Sequence, residues 1–183
     1  MLAEVAAPAT AGRTESAHIN RLLELHQYQG QTNDCAVNSV ATVINTALGS
    51  NIDGAALGED WGRIQWRGVR PVLRRIPRWA AFPWSMVAEL RERGFTAEWR
   101  LLQPPQFLAS QLAANHFIMP IIGSWKPLWA HTMILVASSP EQGYGFVNPA
   151  VNRKSLYWMP QEAFEKAWRA YGSTVVVAWL PDK

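Results

Sequence analysis

The spacing of apolar residues changes once along this 183-residue chain, and that change constrains the fold more than any other feature. Up to about residue 115, apolar positions recur at the three- and four-residue spacing of helices. Beyond it they form four short runs that are typical of β-strands: HFIMPII, HTMILVA, YGFVN and STVVVAWL. Stretches containing Gly and Pro separate these runs. Helices followed by antiparallel strands predict an α+β fold.

The chain is long enough for one domain with a hydrophobic core, since 49% of its residues are hydrophobic. We expect residues 1–16 to form a flexible arm and residues 17–183 a single domain. The N-terminus lacks the basic start and long apolar run of a secretory signal. The longest apolar runs are too short to span a bilayer. The sequence therefore predicts no transmembrane segment and a cytoplasmic location.

The most regular helical pattern begins directly after the only cysteine, in the stretch QYQGQTNDCAVNSVATVIN. Asn33 or Asp34 can cap a helix over 36–48, and Gly49 can end it. Cys35 then lies at the helix start, where free backbone N–H groups and the helix dipole favour a thiolate. A single cysteine can form neither an internal disulfide nor a thiolate zinc site, which fits a reducing compartment.

A cysteine nucleophile needs a base, and His131 is the best of the four histidines because it is predicted to open the strand HTMILVA at the sheet edge. Asn148 ends the run YGFVN, just before Pro149. If the two strands form a hairpin, the start of the first lies beside the end of the second, so Asn148 can orient His131. Gln29, six residues before Cys35, can donate to an oxyanion together with the Cys35 backbone N–H.

Each of these residues also has a simple structural interpretation. A lone Cys35 is more often a small core residue than a nucleophile. His131 alone suits a hydrogen-bonded structural histidine, and Asn148 before a proline suits a turn. Only the joint order and the position of the cysteine at a helix start favour catalysis.

The ordered set of Gln29, Cys35, His131 and Asn148 resembles the papain-like cysteine peptidases. More narrowly, it is similar to the bacteriocin-processing peptidases that cut double-glycine leaders, and to their stand-alone relatives. The helix ending in RERGF, the segment FLASQLAANHFIMPII and the helix PQEAFEKAW also match that family. The resemblance covers about residues 25–180. It implies a papain-like fold in which an N-terminal helix carrying the cysteine packs on a C-terminal antiparallel sheet.

The sequence departs from that family at three places. Ala36 follows the cysteine where the family usually has Gly, and Asn148 stands where it usually has Asp. Asn is the choice of papain itself and can orient an imidazole without adding charge. Residues 50–83 are longer and richer in Arg and Trp than the family's usual connection.

These features support three hypotheses. The first is a cysteine hydrolase that cleaves a peptide or isopeptide bond in a peptide or protein substrate, without metal or cofactor; acyl transfer by the same residues is a close variant. The second is a catalytically idle papain-like module that docks on a larger assembly through the Trp/Arg-rich segment 61–79. The third is binding of nucleic acid or an anionic membrane by the arginines of this region, which a net charge of only +3 disfavours. The residues concerned are Trp61, Arg63, Trp66, Arg67, Arg70, Arg74, Arg75, Arg78 and Trp79.

Overall fold

The structure, a computed structural model, describes residues 12–76 and 80–181. In this part of the chain helices predominate before residue 115 and strands after it, as the change in apolar spacing predicts. The helices are α1 (Ile19–Glu24), α2 (Cys35–Leu48), α3 (Gly54–Trp61), α4 (Pro83–Glu92), α5 (Pro105–Ala113) and α6 (Gln161–Ala170). The strands are β1 (Thr14–Glu15), β2 (Gln65–Arg67), β3 (Arg70–Val72), β4 (Arg75–Ile76), β5 (Ala80–Ala81), β6 (Thr96–Arg100), β7 (Phe117–Trp125), β8 (Leu128–Thr132), β9 (Ile134–Ser139), β10 (Gly143–Val147), β11 (Tyr157–Met159) and β12 (Val175–Trp179).

Eight of these strands form one antiparallel sheet, and the last strand lies in its interior. The order is β11-β10-β9-β7-β12-β6, while β1 pairs with β9 and β8 pairs with β7. Val175 of β12 lies opposite Pro120 of β7 on one side and Arg100 of β6 on the other. The final strand therefore enters between two strands that precede it in the chain.

Helices cover both faces of this sheet, and successive residues of β12 alternate between two cores. Val176 and Ala178 belong to the core shared with α1 to α4, whereas Val175 and Val177 belong to the core shared with α5 and α6. Neighbouring side chains of a strand point to opposite faces. The run VVVAW is continuously apolar because neither of its faces meets water.

Helix α2 is the main helix of the first core. It begins at Cys35, and residues 36–45 are all buried. Gly49 ends it in the left-handed conformation, with a φ of 65° that glycine adopts without strain. The helix packs against α1, α3, α4 and β8. The prediction of an α+β fold, with the cysteine helix packed on a C-terminal antiparallel sheet, is confirmed.

Two local predictions are wrong in detail. His131 does not open a strand: it is the penultimate residue of β8, and β9 begins only at Ile134. The preceding stretch GSWKPLWA, expected as a separating loop, forms the tip of the β7–β8 hairpin. Helix α3 begins at Gly54 because the Asp53 carboxylate caps its N-terminus.

The Trp/Arg-rich segment 61–79 is anchored to the core by side chains that point inward. Trp61 is fully buried, and its indole N–H donates to the Glu89 carboxylate at 3.2 Å. The Arg74 guanidinium donates to the same Glu89 oxygen at 2.7 Å and to Glu92 at 2.6 Å. These contacts fix both ends of the described part of the segment to α4.

Strands β2 and β3 of this segment pair with each other, and β4 pairs with β5 just beyond it. Trp66, on β2, is 68% exposed, whereas Arg75, on β4, is buried. Arg74 is buried too, so both of these arginines point away from solvent. The side chains of Arg67 and Arg70, and the residues Arg78 and Trp79, lie outside what the structure describes.

The expected N-terminal arm, residues 1–16, is described from residue 12 onward. Thr14 of β1 pairs opposite Ser138 of β9. The Ser16 backbone N–H donates to the Val136 carbonyl at 2.8 Å, and Ser16 is buried. The predicted boundary at residue 16 therefore lies inside a docked segment.

Candidate functional site

Cys35 is the first residue of α2 and lies against the strand that carries His131. Its thiol forms a backbone hydrogen bond with Thr132, the residue directly after His131. Burial raises the pKa of the Cys35 thiol, and the neighbouring Asp34 carboxylate acts in the same direction. Backbone hydrogen bonds, including one at Ala36, lower this pKa. The thiolate stabilisation expected at a helix start is present, but burial outweighs it.

His131 is held by Asn148 in a defined tautomer. His131 Nε2 lies 2.8 Å from Asn148 Oδ1. The Ala150 backbone N–H donates to the same oxygen at 2.9 Å, which distinguishes the amide oxygen from the amide nitrogen. Because this oxygen can only accept, Nε2 carries the hydrogen, and the neutral ring has its free lone pair on Nδ1. The site therefore offers Nδ1 as the proton acceptor.

The protonation of His131 is controlled by its surroundings. Burial lowers the pKa of the imidazole, while the hydrogen bond to Asn148 acts the other way. A histidine whose pKa lies below its ordinary value of about 6.5 is neutral at neutral pH. A thiol with a raised pKa is protonated there. At rest, the pair is therefore an uncharged thiol and an uncharged base.

Asn148 lies just beyond β10, at the position that the hairpin prediction requires. Val147, the last residue of β10, pairs with Ile134, the first residue of β9. Asn148 is 8% exposed, and its backbone carbonyl accepts a hydrogen bond from the His26 ring at 2.9 Å. The predicted hairpin is confirmed, and it places Asn148 beside the strand break that follows His131.

Gln29 lies next to the same turn. Its backbone N–H donates to the Pro149 carbonyl at 2.9 Å, and its side-chain Nε2 donates to the Thr32 carbonyl at 2.7 Å. A primary amide carries two N–H groups, so one stays available for another acceptor. The structure thus brings Gln29 to the loop that contains Asn148.

Two residues of this region were missed in the sequence. His26 lies in a segment without regular apolar spacing, yet its ring donates to the Asn148 carbonyl. Arg75 is among the arginines that the third hypothesis assigns to anion binding, yet its Nη1 lies 2.6 Å from Oδ1 of Asp34, the residue before Cys35. Only a contact between segments distant in sequence reveals either role, so no local signal could have found them.

Two clefts lie away from these residues. One of about 580 Å³ is lined by Asp53, Asp60, Trp66 and Glu89 among others, and one of about 520 Å³ is lined by Trp84 and Trp99 among others. Neither is lined by Cys35, His131, Asn148 or Gln29. The chemistry-bearing residues therefore belong to a separate part of the surface.

Residues 12–76 and 80–181 contain neither a metal-binding group of side chains nor a membrane-spanning helix. No three His, Cys, Asp or Glu side chains there are grouped so that they could hold a metal ion. No helix in the same residues is long and apolar enough to cross a membrane.

Comparison with solved structures identifies the architecture. A protein from Bacillus anthracis described as a C39-like peptidase superimposes with a TM-score of 0.68 and 13% identity, over 93% of this chain and 99% of that one. The fold is that of the C39-like peptidases. The C39-like fold also appears in the peptidase domain of Streptococcus ComA, a bifunctional ABC transporter of a quorum-sensing pathway, with a TM-score of 0.55, 18% identity and 85% and 97% of the two chains covered.

A third C39-like structure is a double-glycine-motif protease from an AMS/PCAT transporter, solved with its leader peptide. It matches with a TM-score of 0.56 and 14% identity, over 93% of this chain and 96% of that one. No protein-family model and no curated protein matches the sequence. The C39-like assignment thus concerns the fold, and it agrees with the papain-like architecture predicted above.

Proposed function

We propose that this protein is a cysteine hydrolase that cleaves a peptide or isopeptide bond, with Cys35 as nucleophile, His131 as base and Asn148 as the residue that orients His131. The single observation that carries the proposal is the hydrogen bond from His131 Nε2 to Asn148 Oδ1, which leaves Nδ1 as the free acceptor of a histidine on β8, the strand that packs on the Cys35 helix.

The uncharged resting pair makes proton transfer part of the attack. The thiol proton of Cys35 passes to His131 Nδ1 as Sγ bonds to the carbonyl carbon, and the carbonyl electron pair moves onto oxygen. When the carbonyl re-forms, the C–N bond breaks and the leaving amine takes the proton from His131. Water then gives a proton to Nδ1 and attacks the thioester, and this proton returns to Sγ as the acid leaves.

The negative oxygen of each tetrahedral intermediate needs donors. The Cys35 backbone N–H at the helix start is one, and the free N–H of the Gln29 amide is the other. Losing one such donor typically costs about 3 kcal/mol of barrier. Ala36, in place of the family's usual glycine, keeps a small side chain beside this position.

A peptide is the substrate class that the surroundings favour. Trp129 of β8 is 42% exposed and lies two residues before His131, on the same face of the strand. Its side chain offers an apolar contact to a residue that flanks a scissile bond. One solved structure of the same fold binds a leader peptide. If an amine instead of water attacks the thioester, the same residues catalyse acyl transfer.

The test is alkylation of Cys35 by iodoacetamide near neutral pH, measured by mass spectrometry, together with turnover of a defined peptide pool. Because His131 accepts the thiol proton, His131→Ala should slow alkylation by at least about tenfold, and Cys35→Ala should abolish peptide turnover. A rate that is unchanged in His131→Ala contradicts the proposal. A free, proton-donating thiol suits a reducing compartment, so we also propose a cytoplasmic location, to be checked by cell fractionation.

A second candidate is a docking module that uses the same fold without turnover. It is favoured by apolar side chains on and before the β2–β3 hairpin, since Ile64, Trp66 and Val69 are 64%, 68% and 91% exposed. Large exposed apolar patches mark interaction surfaces. Light scattering of the purified chain, alone and with a candidate partner, tests it against a Trp66→Ser variant. A monomer with robust peptide turnover would exclude this candidate.

A further inference from the structure

Asp34 and Arg75 form a buried ion pair immediately before the nucleophile. Arg75 Nη1 lies 2.6 Å from Asp34 Oδ1 and also donates to the Gly58 carbonyl at 3.2 Å. The Arg75 side chain is 7% exposed and that of Asp34 is 15% exposed. Charges in such a site act more strongly on their neighbours than charges in water do.

The place of Asp34 in the chain gives this pair an influence on Cys35. An acidic residue before a helix usually caps it by accepting a backbone N–H, but the Asp34 side chain makes no such bond. It is directed to Arg75 instead. Its negative charge opposes ionisation of the adjacent thiol. The cation paired with that carboxylate is Arg75.

The other charged groups near this helix start are accounted for. Gly58 of α3 lies against the ion pair, since a Cβ added to it would be 2.8 Å from Arg75 Nη1. Because glycine has no side chain, none separates the pair from α3 at this point. On α4, Glu89 is bound by Arg74. On β8, His131 is the titratable group, and the segment before α2 contributes His26, which is bonded to the Asn148 carbonyl.

We propose that Arg75 is a positioning residue for the nucleophile: by neutralising Asp34 it sets how readily Cys35 loses its proton during attack. The inference rests on the proposed function and deepens it. It gives a role to the unusually long connection between α2 and α4, because β4 of that connection delivers the guanidinium. The Arg/Trp-rich segment then belongs in part to the site rather than only to the surface.

The experiment uses the full chain and its single thiol. The rate of alkylation by iodoacetamide is measured from about pH 6 to about pH 10 for Arg75→Gln, Asp34→Asn and the double variant. We expect Arg75→Gln to be about tenfold slower at neutral pH and Asp34→Asn about tenfold faster, the scale of one charge a few ångströms away at an effective dielectric constant of about 20. The double variant, which removes both charges, should return to within about threefold of the wild type.

Both single variants break the same ion pair, so a purely structural role would change the alkylation rate in the same direction in both. The proposed role changes it in opposite directions. Arg74→Gln is the matched control: it removes the neighbouring buried guanidinium but leaves Asp34 and Arg75 paired, so its pH profile should be unchanged. The proposal is overturned if both single variants slow alkylation alike, or if neither changes it. Should Arg75→Gln not fold, as judged by circular dichroism, Asp34→Asn decides alone: it must be faster.

The failure of the proposed function looks different. In that case the alkylation rate of His131→Ala equals that of the wild type. If His131→Ala is slow while the Arg75 and Asp34 variants match the wild type, the hydrolase proposal stands and the inference about Arg75 falls.

Discussion

His26 donates a hydrogen bond from Nε2 to the backbone carbonyl of Asn148, across 2.9 Å and 122 positions of sequence. A carbonyl oxygen can only accept, so this hydrogen bond assigns the ring hydrogen to Nε2. The Gln29 N–H to the Pro149 carbonyl is a second bond between the same two segments. The loop that contains Asn148 is therefore held from outside by the segment that precedes Cys35.

From this contact we expect His26→Ala to lower kcat by about tenfold with little change in KM, because second-layer partners of catalytic groups typically contribute on that scale. His26→Gln keeps an N–H donor and should recover part of the loss. Steady-state kinetics on a cleaved peptide measures both. His116→Gln is the control, because that ring bonds Gln111 and stacks on Trp179. Equal kcat values for the two His26 variants would contradict a role for the donor.

An amide and a carboxylate can both orient a histidine, but they predict different pH profiles when placed at position 148. Asn148→Ala removes the acceptor and should lower kcat by at least about a hundredfold, since the base loses its tautomer and orientation. Asn148→Asp keeps the acceptor but adds a negative charge, which raises the pKa of His131. Because the neutral imidazole is the active form, the acid limb of the kcat/KM profile should move to higher pH. A limb that moves to lower pH would contradict this assignment.

The lowered pKa of His131 also predicts how stability depends on pH. The unfolded chain binds a proton to this histidine at about pH 6.5, while the folded chain resists protonation until lower pH. Between these two values the unfolded state holds more protons, so the free energy of unfolding should fall as the pH is lowered. Urea unfolding from about pH 7 to about pH 5 measures the slope. His131→Asn should reduce the slope, and an unchanged slope would place its origin elsewhere, for example at His116, whose pKa burial also lowers.

Gly58 tests the Asp34–Arg75 pair from the side of α3. An added methyl would lie 2.8 Å from Arg75 Nη1, 3.3 Å from Val37 Cγ2 and 3.5 Å from Asp34 Oδ1, so Gly58→Ala should push the guanidinium away and crowd Val37. The change should slow alkylation of Cys35, while helix propensity, which favours Ala over Gly by about 1 kcal/mol, offsets part of the packing cost. Gly62→Ala is the control, because a methyl there would meet only carbonyl oxygens of its own helix. Equal alkylation rates for the two variants would show that the pair tolerates displacement.

Elements that depend on local residue spacing could be predicted from the sequence, whereas contacts between distant segments could not. Helix α2 and the β9–β10 hairpin follow from apolar periodicity and turn residues, which is why Cys35 and Asn148 were placed well. The start of the strand at His131 is predicted wrongly because the run MILVA that follows it is continuously apolar, and such a run hides the break at Met133 between β8 and β9. Arg75 was misjudged because arginine is rarely buried unless it is paired, and its partner is 41 residues away by chain numbering.

The interior position of β12 affects the order in which the parts of the candidate site form during synthesis. Cys35 leaves the ribosome early, but β7, which holds the hairpin of His131, is flanked on one side by the last strand of the sheet. Until residues 175–179 have been made, β7 lacks that neighbour. In N-to-C synthesis the helix that begins with Cys35 is therefore made well before the sheet that carries His131 can be completed.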